Sequence, residues 1–98
     1  MLVGAQGDSM ARTALVEASD ALRAAAERAS ADRGRQLTET ADTLSMLATR
    51  QPGPDHGRLA RLEYTLRELQ EAANPEAVDH IDDALGHIKA YRKTVEGV

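Results

Sequence analysis

Apolar residues recur along the second half of the chain at alternating steps of three and four. Leu59, Leu62, Leu66, Leu69 and Ala73 form one run, and Val78, Ile81, Leu85, Ile88 and Val95 form the next. This is the period of a helix that buries one face. Asn74-Pro75 separates the runs: an N-cap residue, then a proline at the first helical position, where a missing N–H leaves nothing unpaired. The pattern predicts two amphipathic helices, over about 56–73 and 75–95, folded back on one another.

The first half has a softer rhythm. Ala11, Leu15, Ala18, Leu22, Ala25, Ala26 and Ala29 make a small-residue stripe, with Asp8 and Ser9 as candidate N-caps after a glycine-bearing lead over residues 1–7. A helix over about 9–31 follows from this. Leu37, Ala41, Leu44, Leu47 and Ala48 make a second stripe, over about 35–50. Asp32-Arg33-Gly34 is a weak break between them, with Gly34 at a C-cap; a glycine inside a helix costs only about 1 kcal/mol. One long kinked helix is therefore the alternative, but the two stripes do not join in strict register. Gln51-Pro52-Gly53-Pro54-Asp55 excludes helix outright and sets Asp55 to cap the third helix. Short connections between successive helices imply antiparallel neighbours. The expected fold is all-α: a single domain over residues 1–98, an up-down antiparallel bundle of four helices.

Composition sharpens this picture. Of 98 residues, 18 are alanine, and Phe, Trp and Cys are absent. A buried Leu contributes roughly 1.5–3 kcal/mol, while ordering each residue's backbone costs about 1–2 kcal/mol. So thin an aliphatic core points to completion by a second copy, a homodimer. The lack of cysteine removes disulfides and thiolate metal sites and suits a cytoplasmic location. No apolar run approaches the roughly 20 residues that span a membrane. The opening MLVGAQGDSM has no basic start and no long apolar stretch, so a signal peptide is not expected. A net charge of −4, with basic residues interleaved among acids, makes nucleic acid a poor partner.

Three features could carry chemistry. Glu76, His80, Asp83 and His87 fall on one stripe of the last helix, spaced as two carboxylate–His pairs at i,i+4. Such pairs can chelate a metal, but one helix supplies too few ligands and carboxylate-bundle sites project into the core. These four are weak metal candidates, and a solvated helix face is the preferred reading. The turn with His56, Gly57, Arg58 and Arg61 could hold a phosphate or carboxylate on free backbone N–H groups. Against that, Asp55 already competes for those donors, and Walker-type glycine spacing is missing. Third, Val16, Met46 and Tyr64 stand off their helices' apolar stripes; merged into one patch they would mark a contact surface. Tyr91 lies at the margin of the core stripe. Asp20 with Arg23, Glu63 with Arg67 and Arg67 with Glu71 are spaced for pairs within a helix.

No nucleophile–His–acid set and no phosphate loop can be placed, so neither catalytic residues nor a cofactor is expected. The run PGPDHGRLAR at 52–61, with AYRKTVEGV at 90–98, resembles small uncharacterised helical proteins of haloarchaea. The likeness would span most of the chain and singles out His56, Gly57, Arg58 and Arg61 as the matching motif. It implies a helical fold and brings no activity, cofactor or partner with it. The expected function is a non-enzymatic module for protein–protein interaction or self-association. The alternative is a regulatory module that binds a small anion or metal at the His56–Arg61 turn or the Glu76–His87 stripe.

One substitution tests the register of the third helix. Leu66→Asp places a charge at the centre of its apolar stripe and should unfold the domain in a thermal melt. A variant as stable as wild type would mean that Leu66 does not face the core.

Overall fold

The computed structural model describes residues 3–49 and 56–93, with side-chain surroundings for 13–49 and 57–93. Four helices follow in order: α1 (Val3–Glu27), α2 (Ala31–Thr49), α3 (His56–Glu71) and α4 (Pro75–Arg92). Among the described residues there is no strand. The all-α fold expected from periodicity is present, and α1 and α2 are two separate helices.

The alanine-rich helix α1 is the centre of the assembly. It packs extensively on both α2 and α4, while α3 leans on α4 and meets α2 over only a short stretch. The bundle is thus a sheet-like sequence of packed pairs, α2 on α1, α1 on α4, α4 on α3, closed lightly along its last seam. Leu15, Ala18, Leu22 and Ala25 of α1 are fully buried. Around them lie Leu37, Ala41 and Leu44 of α2, Leu59 and Leu66 of α3, and Ile81, Ala84 and Ile88 of α4, each at most 1% exposed. Leu62, Ala73, Ala26 and Ala29 pack against this core partly buried. Tyr91, expected at its margin, is 7% exposed and belongs to it.

Several boundaries differ from the sequence expectation, for identifiable reasons. Helix α1 begins at Val3, so Asp8 and Ser9 lie within it rather than capping it. Gly4 and Gly7 are tolerated because each costs a helix only about 1 kcal/mol. The break between α1 and α2 falls at residues 28–30, ahead of Gly34. There Arg28 N–H donates to the Ala25 carbonyl at 3.0 Å and Ala29 N–H to that of Ala26 at 3.2 Å, closing α1 with a tightened turn. Ser30 precedes α2, and its hydroxyl accepts from the Arg33 N–H at 3.4 Å, with Asp32 in the first turn.

Gly34 is accordingly no C-cap. It sits in the first turn of α2, where a Cβ would stand 3.0 Å from the carbonyl oxygen of Ala26. Glycine there lets the start of α2 lie against the end of α1. The proposed cap Asp55 and the rest of the Pro-Gly-Pro connection lie outside the described residues.

Asn74 does hold the N-cap position of α4, its carbonyl accepting from Ala77 at 3.0 Å and Val78 at 3.1 Å. Its side chain makes no capping bond. Instead the amide Nδ2 donates to the Arg28 carbonyl at 2.7 Å, satisfying an orphan acceptor at the end of α1. The turn between α3 and α4 is thereby tied to the turn between α1 and α2. Asn74→Asp separates the two roles: aspartate caps a helix as well as asparagine does, but it has no proton to give Arg28. We expect chemical denaturation to show a loss of about 1 kcal/mol; a variant of equal stability would show that the bond to the Arg28 carbonyl adds nothing.

Candidate functional site

The interfaces of α1 are fastened by polar groups that the apolar period does not reveal. Ser19 is 1% exposed, and its hydroxyl shares a hydrogen bond with that of Ser45 on α2 at 2.8 Å. One turn further along α1, Arg23 reaches the same serine at 3.3 Å and Asp42 at 3.0 Å. Arg23 therefore bridges between helices and does not serve as the local partner of Asp20. Glu63 behaves in the same way: its carboxylate accepts from Arg92 of α4 at 2.7 Å, with Glu63 only 15% and Arg92 32% exposed. Gln70 adds a second α3–α4 link, donating to the Val78 carbonyl at 3.2 Å and to Asp82 at 3.1 Å.

The stripe of Glu76, His80, Asp83 and His87 is not gathered into a site. Glu76 and Asp83 are exposed, and His80 and His87 are half-buried. His87 turns towards α1, where its Nδ1 lies 3.4 Å from a carboxylate oxygen of Glu17. The stripe thus flanks the α1–α4 seam instead of standing wholly clear of the bundle. Among the described residues no three His, Asp or Glu side chains come together as a potential metal site.

The other motif occupies the start of α3. His56 and Gly57 open the helix, and Gly57, Arg58 and Arg61 are exposed. Because α3 and α4 run antiparallel, this motif shares an end of the bundle with the basic last turn of α4, Lys89 and Arg92. Positive side chains at a helix start oppose its dipole, and those at a helix end complement it.

The off-stripe apolar residues are exposed: Val16 by 43%, Met46 by 51% and Tyr64 by 64%. They do not form one patch, since Val16 is on α1 and Tyr64 on α3, helices that are not packed together. Val16 and Met46 are different. The Ser19–Ser45 bond joins α1 and α2 where Val16 is one turn from Ser19 and Met46 is adjacent to Ser45. Both therefore flank the same stretch of the α1–α2 seam. A shallow groove of about 520 Å³ lies between α3 and α4, lined by Arg67, Leu85, Gly86, Lys89 and Lys93 together with the Glu63–Arg92 pair. It is not legible in the sequence, because its lining comes from two helices.

The hydroxyl of Tyr64 donates to Glu68 one turn along α3, and that bond, with the charges of Glu68 and Glu71, holds its pKa above the ordinary tyrosine value. A raised pKa in the folded chain favours the neutral phenol. Its contribution is complete below the pKa of unfolded tyrosine and is lost as pH climbs through the folded value. We expect Glu68→Gln to lower the pH at which Tyr64 ionises, followed through its ring resonances by NMR; an unmoved titration would show that Glu68 is not the cause.

No helix among the described residues is long and apolar enough to cross a membrane. Neither a curated protein nor a solved structure matches the chain. A family model does match, over residues 10–94, which takes in α1 from residue 10 onward, all of α2, α3 and α4, and the connections between them. The chain belongs to a family of unknown function (DUF7553).

Proposed function

We propose that the chain is a non-enzymatic helical module, located in the cytoplasm, that works through protein–protein contact. The observation that carries this is the pair Val16 and Met46, two large apolar side chains about half exposed on either side of one helix crossing. Apart from Tyr64 on α3, the remaining large apolar residues among those described are buried or half-buried by other helices of the same chain. The described parts of the four stripes are thus covered within one copy, and a partner is engaged through the surface. An apolar pair on a rigid helix seam is the kind of feature that anchors such a contact, because its burial needs no reorganisation of the fold.

The test is the double variant Val16→Ser, Met46→Ser. Exposed sites of this kind change stability by no more than about 0.5 kcal/mol, so its thermal melt should match that of wild type. In chemical cross-linking within host extract, wild type should give a defined adduct that the double variant lacks. Identical adducts from both proteins would refute the reading.

A further inference from the structure

Gly86 lies mid-helix in α4 and is exposed, and nothing stands within 4 Å of where its Cβ would be. Glycine costs a helix interior about 1 kcal/mol relative to alanine. At Gly34 the chain itself supplies the reason for that cost, the Ala26 carbonyl; at Gly86 no neighbour in the chain requires it. Ala90, one turn on, is exposed as well. Small residues thus run down the outer face of α4, where another helix could approach closely.

The same face is charged with opposite sign on either side of Gly86. Asp79, Asp82 and Asp83 precede it and Lys89 and Lys93 follow it, all exposed. The helix dipole favours acids in the first turn and bases in the last, but its effect fades beyond those turns. Asp82 and Asp83 lie past its reach; Asp82 also accepts from Gln70 of α3, and Asp83 stands without such a dipole role. The arrangement is also symmetric, since Asp79 stands as many residues before Gly86 as Lys93 stands after it.

A face that is acidic before a small residue and basic after it is complementary to its own copy turned end for end. We propose that α4 pairs antiparallel with α4 of a second copy of this chain, the two helices crossing at Gly86. A two-fold axis there sets Asp79 against the partner subunit's Lys93, and Asp82 and Asp83 against the partner subunit's Lys89. Each contact is made twice, as an isologous interface requires. The α3–α4 groove beside Gly86 adds Arg67 to the basic rim. Exposed ion pairs are individually weak and screened by salt, so the dimer is reversible and favoured by low ionic strength.

This rests on the reading of the chain as a contact module and adds to it a second surface, on α4, separate from the Val16–Met46 pair. Light scattering over a wide concentration series at low salt tests it. Wild type should dimerise; Lys89→Glu with Lys93→Glu, and separately Asp79→Lys with Asp82→Lys, should each be monomeric. An equimolar mixture of the two variants should dimerise again, because each then presents the charges that the other needs. Gly86→Gln gives a control free of charge changes: it should raise the melting temperature of the helix while weakening the dimer by about tenfold or more. A wild type that stays monomeric throughout overturns the α4 pairing and leaves the contact-module reading to the cross-linking result. A dimer indifferent to both charge reversals overturns the pairing as well.

Discussion

The burial of α1 between α2 and α4 is the constraint on which the rest of the structure depends. Its inner face is Leu15, Ala18, Leu22 and Ala25, all fully buried. Alanine brings little apolar area per residue, so such a face contributes only when its neighbours come close. They do: Ser19 and Ser45 touch through their hydroxyls, and α2 starts so near the last turn of α1 that a Cβ at position 34 would stand 3.0 Å from the Ala26 carbonyl oxygen. Helix α3 is held to this centre mainly through α4, so disturbing the α1–α4 contact should loosen both helices of the second half.

Close approach by small residues does not of itself fix how far one helix slides along another. The directional bonds do that. Arg23 with Asp42 and Ser45 fixes α2 along α1, Asn74 with the Arg28 carbonyl fixes the second half against the first, and Glu63 with Arg92 fixes α3 along α4. The exposed Arg23–Asp42 pair adds little energy by itself, and the half-buried Glu63–Arg92 pair is costly to break on one side only. Their common effect is to make one register better than its neighbours. That suits a bundle whose alanine stripes would otherwise tolerate several.

The apolar faces were legible because they follow a helical period that tertiary packing preserves. Leu59, Leu66, Ile81 and Ile88 are buried as their spacing predicts, and Val16, Met46 and Tyr64 are exposed as theirs predicts. What could not be read was anything that depends on a second helix. Arg23 and Glu63 have suitable neighbours on their own helices and nevertheless reach across. Asn74 has the identity and position of a cap, but its amide is spent on a carbonyl 46 residues away in sequence. Gly34 looked like a terminator because glycine often is one, and only the nearness of Ala26 shows its use. Ser30 and Asp32 are the local signal for the start of α2, and they stand just ahead of that glycine. Of the candidate sites, the residues of each motif share a helix as expected, but sharing a helix gathers no ligand set by itself.

Two glycines, Gly34 and Gly86, connect the fold to the function. Both carry the same helical penalty. One is matched inside the molecule by the close approach of the Ala26 carbonyl, and the other faces open space. The described parts of the four apolar stripes cover one another within one copy, so the thin core alone does not say where a second copy would attach. That indication comes from the surface, where an uncompensated glycine lies between an acidic and a basic half-helix. A structural feature that costs stability and has no return within one chain is where an intermolecular contact should be sought first.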